Sequence, residues 1–263
     1  MLDDKIREYE KTKKMLKNTP AMYKREYLFL KEVDSLALAN VQLHLEKAYK
    51  NFFRDPKIGF PRFKSKHHSR NSYTTNVVNG NILVESKKIR LPKLKWIAMK
   101  KHREPAEGLR LKSVTVSMEP SGKYFASLLY EGYSCENQAA EPDYSTAKIL
   151  GIDYAMQGMA VFSEKIETEE AGFFRKNEKR LAREQRKLSR CVRGSHNYEL
   201  QKKKVARCHE KIRNRRRDHL HKLSRKIADS YDAVAVEDID MKAMGQCLHF
   251  GKSVQDNGYG MFR

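Results

Sequence analysis

Ala147-Lys148-Ile149-Leu150-Gly151-Ile152-Asp153 and Ala233-Val234-Ala235-Val236-Glu237 are the two stretches on which the fold turns. Each is a short apolar run closed by an acid, too short for a buried helix, and each predicts a buried strand. If the strands are neighbours, Asp153 and Glu237 converge although they lie 84 residues apart in sequence. Two carboxylates about 4 Å apart repel by roughly 4 kcal/mol at an effective dielectric of 20, and a divalent cation offsets that repulsion. Mg²⁺ suits hard carboxylate oxygens and a phosphodiester substrate, and two ions about 3.5–4 Å apart stabilise both attacking and departing oxygens. Either acid alone fits a turn or helix cap; together, beside a basic hairpin, they point to a metal site. Asp238 falls on the opposite face and reads as structural. Asp240 fits an N-cap for Met241-Lys242-Ala243-Met244.

Between these strands lie a second strand, Met159-Ala160-Val161-Phe162, and a long helical hairpin expected from about Phe173 to Ser230, broken at Gly194-Ser195. Between Arg175 and Lys226 the hairpin carries about twenty Lys/Arg against five acids, far more than helix solubility requires. Leu200, Cys208, Ile212, Leu220, Leu223 and Ile227 offer the second arm an apolar stripe. The other faces are free to meet a nucleic-acid backbone. Lys187, Arg190, Arg193, Lys203, Arg215 and Arg216 are the candidate contacts there.

Towards the N-terminus, residues 56 to 145 read as β structure. Turn signals at Asn79-Gly80-Asn81 and Pro120-Ser121-Gly122 separate the runs Ile82-Leu83-Val84, Ser113-Val114-Thr115-Val116 and Leu128-Leu129-Tyr130. Short strands with polar turns predict a small barrel or meander. A basic stretch interleaved with Phe60, Phe63 and Tyr73 opens this region. It suits a surface that grips phosphates and stacks on bases; the alternative is a solvated loop whose aromatics belong to the core. Its candidate contacts are Arg62, Lys64, Lys66, Ser69, Arg70, Asn71, Ser72 and Tyr73. Residues 1 to 55 are helical. A charged segment runs from Met1 to Asn18. A helix capped by Asp34 or Ser35 then carries Leu38, Val41, Leu45, Ala48, Tyr49 and Phe52 on one face.

The 263 residues hold 54 Lys+Arg against 33 Asp+Glu, a formal net charge of +21. Such a surplus repels itself in the folded state unless a polyanion is present, and nucleic acid is the usual one. Cys135, Cys191, Cys208 and Cys247 stand far apart, which argues against a zinc ribbon or a disulfide scaffold within this chain. With no signal peptide and no apolar run of about eighteen residues, the expectation is a cytoplasmic, nucleoid-associated protein with no membrane partner.

An ordered series of motifs carries a resemblance. It comprises Leu150-Gly151-Ile152-Asp153, Lys187-Leu188-Ser189-Arg190, His219-Leu220-His221-Lys222-Leu223-Ser224, Val236-Glu237-Asp238-Ile239 and Phe250-Gly251-Lys252-Ser253-Val254-Gln255-Asp256. With Leu30 to Asn40 and Pro61-Arg62-Phe63-Lys64-Ser65-Lys66, the series resembles the OrfB/TnpB family of insertion-sequence transposases. These are RNA-guided DNA endonucleases related to type V CRISPR effectors. The resemblance implies an α+β multidomain fold with three regions. They are N-terminal helices (1–55), a small wedge-like β-barrel (56–145), and an RNase H-like (RuvC) α/β domain (146–263) with the basic hairpin inserted. It implies a guide RNA from the transposon end and double-stranded target DNA with a short adjacent motif, base pairing reading the rest. Asp153 matches the first RuvC acid and Glu237 the second, with Mg²⁺ or Mn²⁺ as cofactor. Lys64 to Tyr73 matches the region near the adjacent-motif duplex.

Family members normally begin earlier, with a first barrel strand. They also continue into two C-x-x-C pairs for structural zinc and a third RuvC acid, whose counterparts do not occur in these 263 residues. The expectation is therefore a chain truncated before that acid and the zinc ribbon, and inactive as a nuclease on its own. Asp256 is the one late acid that could substitute. The competing readings are a catalytically deficient RNA-guided DNA-binding protein and a guide-independent DNA-binding protein.

Overall fold

The computed structural model describes residues 1–62, 71–132, 143–155, 159–166, 172–238, 240 and 256–262. The chain divides into two compact units, Met1–Glu136 and Asn137–Arg263.

In the first unit α1 (Leu2–Thr12) precedes α2 (Ser35–Arg54). Asp34 caps α2 by accepting the Leu36 N–H at 3.2 Å, which satisfies a backbone donor that the helix leaves orphaned. Its other carboxylate oxygen accepts from Thr75, and Asn40 donates to the Thr74 carbonyl at 2.9 Å. These bonds fasten α2 along β1 (Asn71–Asn76), so helices and strands share one unit. Tyr49 and Ala37 are buried on α2, and Phe53 and Phe60 pack around Tyr49. Val41, expected on the apolar face, is instead exposed.

Six strands follow: β1, β2 (Leu83–Val84), β3 (Lys88–Leu91), β4 (Lys95–Ala98), β5 (Arg110–Met118) and β6 (Tyr124–Glu131). They form two three-stranded antiparallel sheets, β1-β5-β6 and β2-β3-β4, around a core of Ile82, Ile89, Leu91 and Val114. The expected barrel is not found: among the described residues neither sheet closes. β2 is only two residues long, too little ladder to join the sheets.

The second unit is built on β7 (Ile149–Tyr154), flanked by antiparallel β8 (Ala160–Phe162) and parallel β9 (Ala233–Val236). Leu150, Ile152 and Tyr154 alternate onto one face. There they bury against Leu220, Leu223 and Ile227 of α4 (His196–Ala228) and against Tyr259 of α5 (Tyr259–Phe262). Among the described residues β9 is an edge strand of this sheet, as β8 is, and its Val234 and Val236 are exposed where the sequence predicts a buried strand.

α3 (Arg175–Ser189) and α4 make the expected hairpin. Gly194 turns the chain at φ +83°, a conformation that favours glycine, and Ser195 caps α4 by accepting the Tyr198 N–H at 3.1 Å. The apolar stripe differs from expectation at its start. Leu200 is exposed and Gln201 is buried, donating to the Glu184 carbonyl at 3.0 Å and to its carboxylate at 2.8 Å.

Candidate functional site

The register of the parallel pair sets Ile149 opposite Ala233, Leu150 opposite Val234, Gly151 opposite Ala235 and Ile152 opposite Val236. The next residues are Asp153 and Glu237. Side chains alternate along a strand, so burying Leu150, Ile152 and Tyr154 on α4 turns Gly151 and Asp153 to the other face. Gly151, Asp153, Val161, Ser163, Ala235 and Glu237 line a shallow depression there. Its floor is fixed by Ser163, whose Oγ accepts the Gly151 N–H at 2.9 Å and whose N–H donates to the Gly151 carbonyl at 3.0 Å.

The two acids interact. Glu237 titrates above the ordinary glutamate range, first because its protonated form donates a hydrogen bond to Asp153, then through lost hydration and repulsion from that carboxylate. A divalent cation between the two carboxylates would offset the same repulsion. Asp153 and Glu237 are thus a fitting donor set for a hard divalent ion. Among the described residues no third His, Cys, Asp or Glu joins them.

Asp256 is not that third acid. It is buried, accepts the Phe174 and Arg175 N–H groups at 2.7 and 3.3 Å, and lies 3.9 Å from the Arg216 guanidinium. It therefore caps the start of α3. Arg216, expected to contact nucleic acid, is correspondingly corrected to a structural residue. Its side chain is mostly buried, and a Cβ built on Gly258 would stand 2.9 Å from its Cδ.

The other hairpin candidates are on the surface. Lys187, Arg190, Arg193, Lys203 and Arg215 are all exposed. Lys187 borders a groove between the helices, its ammonium 3.5 Å from the Glu184 carboxylate. Arg180, Lys204, Arg207 and Lys211 line the same groove, and the sequence reading had not singled them out. Their spacing carried the signal, since positions 204, 207 and 211 recur on one helical face. In the first unit, Arg62 is exposed, and Asn71 and Ser72 are exposed at the start of β1 rather than in a loop. Tyr73 is half-buried, and its phenol is raised by that burial and then by Asp34. Lys64, Lys66, Ser69 and Arg70 lie outside the described residues, as do Phe63 and the helix expected after Asp240.

Residues 132–247, a span that holds Asp153, the whole hairpin and Glu237, match the OrfB family model, described as "Probable transposase". Over that span the chain is similar to this transposase family. It is 34% identical over 221 residues to the "Putative RNA-guided DNA endonuclease InsQ" of Escherichia coli (strain K12), covering 84% of this chain and 52% of that protein. It is 31% identical over 243 residues to a "Putative RNA-guided DNA endonuclease" of Streptomyces pristinaespiralis, covering 90% and 57%. The chain belongs to the OrfB/TnpB family. It spans about half the length of these curated relatives.

Proposed function

We propose that this chain supplies two catalytic carboxylates and the nucleic-acid grip of an RNA-guided DNA endonuclease that depends on a divalent cation. The observation that carries the reading is the parallel pairing of β7 with β9, which sets Asp153 beside Glu237 on the open face of the sheet. The names of the two relatives support the same activity. Asp153 and Glu237 would hold Mg²⁺ or Mn²⁺, which when bound supplies charge stabilisation at a phosphoryl oxygen and lowers the pKa of a water nucleophile. The exposed hairpin cations would neutralise the backbone of the guide or of its heteroduplex with DNA. Lys64 to Tyr73 would approach the adjacent-motif duplex, while base pairing reads the remaining sequence.

The test is guided plasmid cleavage by the 263-residue chain and by a version extended with the C-terminal part of the E. coli relative. Cutting by the extended version, lost with Asp153→Ala or Glu237→Ala, is the expected result. Cutting that survives both substitutions overturns the assignment. The absence of a third acid beside the pair among the described residues favours one alternative, guided DNA binding without cleavage. Target occupancy by an extended chain that never cuts would establish it.

A further inference from the structure

We propose that the outer face of the β2-β3-β4 sheet binds single-stranded nucleic acid, with a base stacked on Trp96 and phosphates held by the lysines around it. From Ser86 to Arg103 the chain has eight Lys/Arg (Lys87, Lys88, Arg90, Lys93, Lys95, Lys100, Lys101, Arg103) and no Asp or Glu. Of these cations the ladder places Lys88 and Arg90 on the sheet's outer side with Trp96, while Lys93 lies in the turn and Lys95 is paired with Leu91. Ile89 and Leu91 of β3 point into the core, so Lys88 and Arg90 point away from it. The ladder sets Leu83 opposite Arg90 and Arg90 opposite Trp96, so these three form a row across the outer face.

Trp96 is 42% exposed, and its neighbours Lys93, Leu94 and Lys95 are exposed as well. Lys93 and Lys95 adopt φ +66° and +57°, a left-handed backbone that residues with a Cβ seldom occupy. Arg90 is steadied by donating to the Gly80 carbonyl at 2.8 Å. A planar ring among cations, with Glu85 beside Lys88 an acid further along the same face, has the chemistry that single strands use: bases stack in any sequence while phosphates are neutralised. A paired base inside a duplex cannot present its face to Trp96, which is why the occupant is single-stranded. A protein partner would need acidic side chains around an apolar centre and is an outcome of the test. This contact is independent of the nuclease reading, since it involves neither the carboxylate pair nor the hairpin.

Trp96 is the chain's single tryptophan, so its emission reports this face without a label. The experiment titrates the chain with a 12-residue oligothymidylate and, in parallel, a blunt duplex of equal length, without guide or divalent cation. The expected result is saturable quenching by the single strand and little by the duplex. Anisotropy of a labelled 12-mer should show about tenfold weaker binding for Trp96→Ala and for Lys93→Gln/Lys95→Gln, with Trp96→Phe intermediate. Lys11→Gln/Lys14→Gln, at exposed lysines outside both surfaces, should leave the quenching midpoint in place. Far-UV circular dichroism checks that each variant folds, and Lys93→Gln/Lys95→Gln, which keeps Trp96, provides an independent arm. A 12-mer that binds while Trp96 emission stays constant overturns the proposal and leaves the hairpin reading intact. No binding of the 12-mer at all, or protection of Trp96 only by a protein, also overturns it.

Discussion

Glu184 is buried where the hairpin's arms meet, and it shows what one side chain decides there. The Gln201 amide donates to its carboxylate, and Lys187 and Arg183 stand nearby, so its pKa lies below the ordinary glutamate value. A depressed carboxylate contributes stability above its unfolded pKa and loses it as pH falls through the folded value. Thermal melts of the chain and of Glu184→Gln should differ at neutral pH and converge in acid, below the ordinary carboxylate range. A constant difference would show that shape rather than charge matters at this position. At the sheet, Mn²⁺ should raise the melting temperature of the unaltered chain in proportion to the logarithm of its concentration. It should leave the Asp153→Ala/Glu237→Ala double variant unmoved. The carboxylate pair was legible in the sequence because two apolar runs each ended in an acid. Arg216 was misread for a physical reason. Counting charge along a helix cannot see Asp256 folding back from forty positions later, and there the Arg216 side chain is mostly covered.

Among elements, α4 is the longest, 33 residues and so about 50 Å. Its first half lies against α3, and its second half carries the core under β7. Leu223→Ala should cost about 2–5 kcal/mol, as deletion of buried methyl groups does, measured by urea unfolding. Ser195→Ala should cost about 1 kcal/mol through loss of the cap. The helices were legible because their signals are local: Asp34 before α2, and Gly194-Ser195 between α3 and α4. Strands β3 and β4 were not. Each has only four residues: β3 alternates polar and apolar, but over too short a run to stand out, and Lys95-Trp96-Ile97-Ala98 of β4 does not alternate. The exposure of Val234 and Val236 was likewise invisible, since an apolar run reads the same whether its strand is central or at an edge.

For the whole molecule, a net charge of +21 predicts that the purified chain carries RNA. Its absorbance ratio should fall to that of protein only after a wash at high salt. If six to ten phosphates are contacted, affinity for structured RNA should drop by roughly 10³–10⁵ between 50 and 200 mM salt. A flat titration would remove the hairpin as a backbone grip. The strands and the hairpin of the second unit were legible one by one, while its α/β class was what the resemblance implied. The barrel expected of the first unit is not found among the described residues: closure depends on which strand edges meet, and no local pattern encodes that.

The parallel contact between β7 and β9 has a kinetic consequence. It joins segments more than eighty positions apart, and long-range pairing is slow because loop closure must precede any gain from the contact. Helices form in about a microsecond, so the α3–α4 hairpin can collapse first and shorten the path between the strands. The cations that make this hairpin suited to nucleic acid also repel one another while it forms. A bound polyanion should therefore speed the hairpin's assembly, and refolding of the second unit should quicken when RNA is present in stopped-flow mixing. On this route the carboxylates meet last, so the proposed metal site would appear only in chains whose hairpin is already folded.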